Sequence, residues 1–363
     1  MPIRLLVDTL VDRDLTNAQL TSAREIIARL DPDRFHVTTF HGESPDARVA
    51  ARPATRLIRL PARRRTVRLF TEFVGGRHDI LFYVKAAPAA ELYFRLRRLW
   101  RPRAVTIGTL ESQADWRSQP TIAPTYVRRW ERTVLRCDHL VSISRCAARS
   151  LRSEYRLDSH VIPVGVDTEH FRPGPRPSTR GRPRVLFVGT LISYKRPHLL
   201  LEAAERFPEA DFVVVGTGPL EGSLSACVRE RRLANVVLTG AIDAERLRQA
   251  YREADVFLFP SQWEGSPKVI LEAAASGLPV IACRDYEPET VLHERTGYVV
   301  RSPDELLARL GRLLRSPDLR IAFGAAGRRL AERYDWSVVV RRWEALFVRV
   351  LGRRSRADVK AGT

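Results

Sequence analysis

The feature that most constrains the fold is a regular alternation of short apolar runs with segments of helical spacing. The runs show little alternation of apolar and polar residues, which is typical of parallel strands buried on both faces. This order of strand and helix predicts a doubly wound α/β fold. The predicted strands of the first half are Ile3–Asp8, His36–Phe40, Leu57–Leu60, Ile80–Val84, Val105–Ile107, Leu140–Ile143 and Val161–Val164. The main predicted helices there are Thr16–Leu30, Thr66–Phe73, Ala89–Leu99, Tyr126–Arg136 and Cys146–Tyr155.

A proline-rich segment divides the chain. Phe171–Arg184 holds four prolines and two glycines in fourteen residues, too many for a helix or a central strand. The alternation then restarts, so we predict two α/β domains, residues 1–175 and 176–335, and a last helical segment, residues 336–363. Because parallel strands bind ligands beyond their carboxyl ends, we expect a ligand in a central cleft that both domains face.

The composition excludes several protein classes. Of 363 residues, 44% are hydrophobic and 28% are charged, which excludes a disordered or collagen-like chain. No apolar run approaches the roughly 18–20 residues that cross a bilayer, and the N-terminal run is too short for a secretory signal. The four cysteines lack the spacing of a disulfide framework or a zinc site, so we expect a reducing cytoplasm.

The net charge of +19 does not by itself predict nucleic-acid binding. Only four of the 61 basic residues are lysine, and no nucleic-acid-binding signature accompanies the arginines. The charge is concentrated in residues 51–103, whose local balance is +11. There Arg56–Phe70 mixes arginines with apolar residues, and two interpretations stay open. One is peripheral contact with the anionic inner face of the plasma membrane. The other is solvated arginine that reflects a coding bias.

The most informative segment is Phe259–Val280, FPSQWEGSPKVILEAAASGLPV. A loop with Glu264 and Gly265 follows a predicted strand. Ser266 is a preferred N-cap and Pro267 suits the first helical position, so we predict a helix from Pro267 whose N-terminus attracts an anion. Glu264 and Glu272 then flank that anion site, as expected for a ligand with phosphate in the middle and a polyol at each end.

A second loop has similar chemistry. In VLFVGTLISYKRPHLLLEAA, Gly189 ends a strand, and Lys195 and Arg196 precede Pro197, which opens the next predicted helix. A lysine beside a helix N-terminus is well suited to a diphosphate. A charged hydrogen bond of this kind contributes about 1.5–3 kcal/mol.

With these residues, the chain resembles the retaining GT-B glycosyltransferases of family 4, also called glycosyl transferases group 1. The resemblance rests on five segments in the family's order: IPVGVDTEHFRP, VGTLISYKRP, VVVGTGPLEGSL, ADVFLFPSQWEGSPKVILEAAASGLPVIA and TGYVV. It implies two Rossmann-like domains that face a cleft, with a nucleotide-sugar donor on the C-terminal domain. It also implies a glycan, lipid-linked or small-molecule acceptor on the N-terminal domain, and a last helix that crosses back to that domain.

The resemblance also implies roles for individual residues. Glu264 corresponds to the acid that holds the donor-sugar hydroxyls, Lys195 to the diphosphate cation and Glu272 to the ribose ligand. The other implied donor-binding residues are Gly189, Thr190, Arg196, Gly216, Thr217, Gly218, Pro219, Ala241, Ile242, Gly265, Ser266, Pro267 and Val269. No metal ion or cofactor is implied.

Three departures from the family pattern bear on activity. Thr190 stands where an arginine is frequent, so Arg196 is the candidate for the second cation. A glycine pair is missing from Asp12–Gln19. The histidine that often follows an N-domain strand is absent, and Glu111 stands there, either as an active-site residue or as a loop cap.

Alternative interpretations remain open at this stage. Gly216 and Gly218 resemble a dinucleotide fingerprint, but the third glycine, Gly222, falls one residue late. Asp12 and Asp14 form an Asp-x-Asp triplet of the kind used by metal-dependent transferases. The leading function is transfer of a hexose from a UDP- or GDP-sugar with retention. The alternatives are a non-catalytic or regulatory GT-B subunit, and another GT-B reaction such as a sugar phosphorylase or epimerase.

Overall fold

The structure is a computed structural model, and it describes residues 1–361 except 16, 62, 101–103, 116–121 and 175–180. Thr16, at the start of a predicted helix, and residues 175–180 of the proline-rich segment therefore lie outside the described residues. The chain divides into two compact units. Unit 1 comprises residues 1–164 and 336–363, and unit 2 comprises residues 165–335.

Unit 1 is built on a parallel sheet of seven strands in the order β3-β2-β1-β4-β5-β6-β7. The strand order reverses between β1 and β4, which makes the carboxyl ends of these two strands a switch point. The elements are β1 (Ile3–Leu10), α1 (Ala18–Arg29), β2 (Phe35–His41), α2 (Ala47–Ala51), β3 (Thr55–Arg59), α3 (Arg65–Gly75), β4 (Ile80–Phe82), α4 (Pro88–Trp100), β5 (Val105–Leu110), α5 (Pro124–Thr133), β6 (His139–Ser142), α6 (Arg145–Tyr155) and β7 (His160–Val161).

Unit 2 repeats this plan with six parallel strands in the order β10-β9-β8-β11-β12-β13. Its switch point lies between β8 and β11. The elements are β8 (Arg184–Val188), α7 (His198–Arg206), β9 (Asp211–Val215), α8 (Glu221–Glu230), β10 (Val236–Gly240), α9 (Ala244–Glu253), β11 (Val256–Phe259), α10 (Lys268–Ala275), β12 (Val280–Cys283), β13 (Gly297–Val300), α11 (Pro303–Arg315) and α12 (Pro317–Ala331). The two Rossmann-like α/β units confirm the predicted fold class.

The last helix, α13 (Trp336–Ala361), completes the core of unit 1. Its buried face contributes three aromatic rings, those of Trp336, Trp343 and Phe347, to the cluster around the sheet. The Phe347 ring centroid lies 5.1 Å from that of Phe82 and 5.9 Å from that of Phe35. Unit 1 therefore depends on residues that are separated from the rest of it by the whole of unit 2.

Residues 165–174 belong to unit 2 and not, as predicted, to the first domain. Their backbone is held by the last elements of unit 2. The Val166 amide donates to the Tyr334 carbonyl, and the Thr168 hydroxyl donates to Asp335 at 2.7 Å. Arg328 donates to the carbonyls of Thr168 and Phe171. The domain boundary thus falls before this segment, because its hydrogen-bond partners lie in unit 2.

Two local differences from the predicted elements have clear causes. β4 ends at Phe82, two residues before the predicted end, because Tyr83 adopts a positive φ of 63° that interrupts the extended backbone. Helix α2 was not predicted, since five residues are too few to show helical periodicity. No helix within the described ranges is both long enough and apolar enough to cross a membrane.

Candidate functional site

The two loops at the switch point of unit 2 place Lys195 and Glu264 in contact. Lys195 follows β8 and Glu264 follows β11, and the two strands are neighbours in the sheet. The Lys195 Nζ atom lies 2.9 Å from Glu264 Oε1, and each side chain is only 14% exposed. The Ser261 hydroxyl donates to the same oxygen at 2.8 Å. The result is an oriented, largely buried ion pair at the edge where a ligand of this fold binds.

Aromatic rings and a backbone hydrogen bond hold the two loops together. The Lys195 ammonium lies 5.0 Å from the ring centroid of Phe259, the last residue of β11. The Tyr194 and Trp263 rings meet edge to face at 5.9 Å. The Gln262 amide donates to the Tyr194 carbonyl at 2.8 Å. These contacts restrict the positions of the charged side chains, which lowers the cost of ordering them on ligand binding.

Arg196 reaches across the same edge but is bound by the protein. Its Nε atom donates to the Pro260 carbonyl at 2.7 Å, and a terminal nitrogen contacts Cys283 Sγ at 2.9 Å. Asp285 lies 3.6 Å from the guanidinium. Arg196 therefore joins the loops after β8, β11 and β12, whereas Thr190, the residue in the family's arginine position, is exposed.

The glycines after β9 allow two loops to approach each other closely. Gly216 has a φ of 132°, and a Cβ atom there would lie 2.0 Å from the Gly189 carbonyl oxygen. Gly218 packs in the same way against Leu191, whose amide donates to the Thr217 carbonyl. The loop after β9 thus lies against the loop that carries Lys195, with Thr217 and Pro219 exposed.

Helix α10 begins one residue later than predicted. Its first helical residue is Lys268, and Pro267 is the N-cap with an extended ψ of 116°. No side chain caps this end, so Ser266 does not have the predicted capping role. The reason is local, since Pro267 itself occupies the N-cap position and Ser266 lies one residue outside it. Gly265, Ser266 and Pro267 nevertheless lie between the carboxyl end of β11 and the start of α10.

Glu272 lies in the second turn of α10 and is held by a residue that the sequence patterns did not reveal. The Tyr251 hydroxyl, from α9, donates to Glu272 Oε2 at 2.9 Å. Burial raises the pKa of the Glu272 carboxyl, although Tyr251 and Lys268 act in the opposite direction. In the sequence, Tyr251 fits only the pattern of an apolar position in a predicted helix.

Val269 on α10 is half-buried, and Ala241 and Ile242 follow β10, two strands away from β8.

Glu111 follows β5 in unit 1 and forms a hydrogen bond within that unit. Its Oε1 atom accepts from the Tyr83 hydroxyl at 2.6 Å. Burial, together with the Glu111 charge, raises the pKa of Tyr83 well above its usual value. Tyr83 and Lys85, which follow β4, were not selected from the sequence, because neither belongs to a recognised motif.

The first carboxylate of the Asp-x-Asp triplet, that of Asp12, has a structural role. Asp12 accepts from the backbone amides of Gly42 at 2.8 Å and Ser44 at 2.9 Å. Burial opposes ionisation of Asp12, but these amides hold the pKa of its carboxyl below the usual value. Among the residues that the structure describes, no group of three His, Cys, Asp or Glu side chains is placed to hold a metal ion.

Comparisons with known proteins agree with this architecture. The family model described as glycosyl transferases group 1 matches residues 182–316, and that described as Glycosyltransferase Family 4 matches residues 21–170. A GDP-mannose-dependent alpha-(1-6)-phosphatidylinositol monomannoside mannosyltransferase from Mycolicibacterium smegmatis is 31% identical, over 80% of this chain and 81% of the relative.

One further relative and one solved structure extend the comparison. A D-inositol 3-phosphate glycosyltransferase from Segniliparus rotundus is 31% identical over 56% of this chain and 50% of that protein. Among solved structures, a sucrose-phosphate synthase from Thermosynechococcus elongatus superposes with a TM-score of 0.79 at 21% identity, covering 96% of this chain and 99% of that one. At that identity, the structural likeness concerns the fold alone.

Proposed function

Because the chain belongs to the glycosyltransferases of group 1 and family 4, we propose that it transfers mannose from GDP-mannose to an inositol-containing lipid acceptor, with retention of anomeric configuration. Use of a nucleotide sugar is common to the mannosyltransferase relatives. The choice of mannose and of the acceptor follows the relative with the broadest coverage among those described above.

The observation that carries this proposal is the contact between Lys195 and Glu264. A lysine ammonium can neutralise a diphosphate oxygen, and a carboxylate can accept hydrogen bonds from sugar hydroxyls. In a nucleotide sugar, the diphosphate and the sugar hydroxyls lie on opposite sides of the bond that breaks. A donor bound at the carboxyl ends of β8 and β11 would meet both groups within a few ångströms. Glu272, fixed by Tyr251, is the candidate for the ribose hydroxyls.

Retention is supported by stereochemistry. GDP-mannose is an α-linked donor, and the name of the mannosyltransferase relative specifies an alpha-(1-6) product. Transfer that starts and ends with the α configuration retains it. We propose that the leaving diphosphate is stabilised by Lys195 and by backbone amides at the start of α10, an electrostatic role that needs no bound metal ion.

We also propose that unit 1 docks peripherally on an anionic membrane. Helix α3 begins beside the exposed arginines Arg63 and Arg64, and its exposed surface includes Val67 at 59% and Val74 at 40%. On α4, which packs against α3, Leu99 is 76% exposed. Arginines interleaved with exposed apolar side chains suit the interface of an anionic bilayer. Such docking would bring a lipid-linked acceptor to the protein.

The test uses the full chain with GDP-mannose and UDP-glucose, with and without EDTA, and with phosphatidylinositol vesicles as acceptor. We expect an α-linked mannosyl product that EDTA does not abolish. Glu264→Gln and Lys195→Met should each lower kcat/KM about 10- to 150-fold, since each removes a charged contact of about 1.5–3 kcal/mol. The matched control is Glu205→Gln, which breaks an exposed ion pair with Arg231 in the same unit and should stay within about twofold.

Near-wild-type turnover by either site variant would contradict the assignment of Lys195 and Glu264 to the donor site.

The second candidate function, a non-catalytic subunit, is favoured by one observation: Thr190 supplies no cation, and Arg196 is bound to the Pro260 carbonyl. It predicts donor binding without hydrolysis. Slow hydrolysis of GDP-mannose in the absence of acceptor would exclude it.

A further inference from the structure

A cavity of about 450 Å³ lies in unit 1, beside its switch point. Its wall includes Asp8 and Thr9 from β1, Lys85 from the loop after β4, and Arg65 from the start of α3. Apolar side chains from α1, β2 and α3 line the remainder, among them Leu20, Phe40 and Leu69. The cavity therefore combines two cations, one carboxylate and an apolar wall at the edge of the sheet where this fold binds ligands.

Lys85 is the unusual member of this group. Its Nζ atom is buried and has no hydrogen-bond partner within the described part of the chain. The contact that it makes is with the ring of Tyr83, whose centroid lies 4.6 Å away. A buried ammonium without a hydrogen-bond acceptor is costly, and such groups in native proteins usually have a functional reason. The Thr9 hydroxyl beside the cavity is likewise buried and without a hydrogen-bond partner among the described residues.

The surrounding charges do not replace a ligand. The Asp8 carboxylate accepts from the Lys85 backbone amide at 3.0 Å, so this bond orients the loop, and the Lys85 ammonium has no acceptor among the described residues. Burial lowers the pKa of Lys85 to about 8, while the charges of Glu111 and Asp8 favour its ammonium form. The positive charge of Arg65 favours the ionised form of Asp8. Among the described residues, Asp8 and Arg65 line the cavity beside Lys85, and Tyr83 and Glu111 are the further titratable groups close to its ammonium.

We propose that this cavity binds the phosphate group of the acceptor, with the Lys85 ammonium leaving the Tyr83 ring to contact the phosphate oxygens. A phosphate offers several strong acceptors and a negative charge, which match an ammonium, a guanidinium and a hydroxyl. The four-carbon lysine side chain is flexible enough for this change of partner. The proposal rests on the proposed function for placing the acceptor in unit 1, and it adds the chemical group by which the acceptor is held.

The first experiment measures binding by calorimetry with three probes on the full chain at pH 7. Glycerophosphoinositol represents a lipid headgroup, inositol 1-phosphate represents a soluble sugar phosphate, and myo-inositol is the neutral control. We expect at least one phosphate ester to bind tenfold or more tightly than myo-inositol, and the tighter of the two esters identifies the source. Lys85→Met should reduce this preference to threefold or less. Arg59→Met, which removes an exposed cation outside the cavity, should preserve it.

The second experiment uses the wild-type protein, so that it does not depend on the folding of a variant. Glycerophosphoinositol keeps one negative charge between pH 6 and 10, and arginine stays charged throughout. Because a bound phosphate favours the ammonium, affinity should be constant below about pH 8 and should fall up to about tenfold per pH unit above it. Equal affinity for the phosphate esters and myo-inositol would overturn the proposal.

The two proposals fail in different ways. If Lys85 serves only to balance Asp8 and Glu111, Lys85→Met will unfold more easily while the wild type shows no preference for phosphate. Hydrolysis of GDP-mannose would then still support the proposed function. If instead no donor is hydrolysed but the phosphate preference and its pH dependence are present, the cavity is a phosphate site. The proposed transfer reaction is then wrong.

Discussion

At the scale of single residues, the two units use carboxylates in different ways. Glu264 is paired with a lysine and accepts from Ser261, so its charge is compensated and its position is defined. Glu111 accepts from a tyrosine hydroxyl, a neutral donor, and contributes a negative charge near Lys85. A carboxylate in an ion pair suits recognition of hydroxyls, whereas one that accepts from a neutral hydroxyl leaves a negative potential that favours the nearby Lys85 ammonium.

This difference leads to a prediction for Glu111. We expect Glu111→Gln to lower kcat about tenfold and to leave the KM for the donor within about twofold, because the proposed donor loops belong to unit 2 and Glu111 to unit 1. Steady-state kinetics with varied GDP-mannose measures both values. Tyr83→Phe is the companion variant, since it removes the hydrogen bond and keeps the Glu111 charge. A kcat unchanged in Glu111→Gln would leave Glu111 as a loop residue.

At the scale of elements, the helix N-termini and the loops before them carry most of the candidate chemistry. The Lys195 loop precedes α7, the Glu264 loop precedes α10, and the arginine-rich segment precedes α3. In a doubly wound fold each of these loops follows a parallel strand, so their residues collect at the carboxyl edge of the sheet. Substitution of exposed residues in such loops costs little packing. Lys195 and Glu264 form a largely buried ion pair, so the stability of their variants has to be measured beside the activity.

Helix α3 provides the prediction at this scale. The full chain should co-sediment with vesicles that contain phosphatidylglycerol at low salt and dissociate at high salt, since each basic residue near the surface contributes about 1 kcal/mol that salt screens. Replacing Arg63, Arg64 and Arg68 by glutamate should abolish binding, while Arg65 is retained because it lines the cavity.

Replacing three exposed arginines elsewhere, Arg229, Arg231 and Arg232 in unit 2, is the matched control for net charge. If both triple variants lose binding equally, the attraction is a general property of the net charge and α3 is not a docking element. If the wild type does not bind at low salt, the membrane proposal is wrong.

At the scale of the whole molecule, the chain leaves unit 1, forms unit 2 and returns to unit 1 with α13. The return is energetically important because α13 supplies a fully buried ring to the unit 1 core. A compact unit formed from two distant parts of the chain can be complete only after the last residues are available. Its stability is therefore sensitive to changes near the C-terminus.

We expect Phe347→Ala to lower the free energy of unfolding of unit 1 by about 3–5 kcal/mol, the usual cost of removing a buried phenylalanine ring. Val348→Ala, one residue further along the same helix, should change it by less than about 0.5 kcal/mol because Val348 is exposed. Urea unfolding followed by tryptophan fluorescence measures both. Similar midpoints for the two variants would show that α13 does not stabilise unit 1.

The sequence by itself determined the local elements and the identity of the chemical groups. Of the seven strands predicted for the first half, six overlap an observed strand of the described residues by at least three positions, because burial on both faces leaves a signal within a few residues. The exception is β7, which shares only Val161 with its prediction. The loops with Lys195 and Glu264 could be placed after their strands for the same reason.

Only the tertiary structure decided which of these elements meet. Lys195 contacts Glu264 because β8 lies beside β11 in the sheet. That strand order depends on residues about seventy positions apart in the chain. The Tyr251 contact with Glu272 and the buried ammonium of Lys85 arise in the same way. Periodicity records how one segment is buried, whereas a site is made by packing between segments that are distant in the chain.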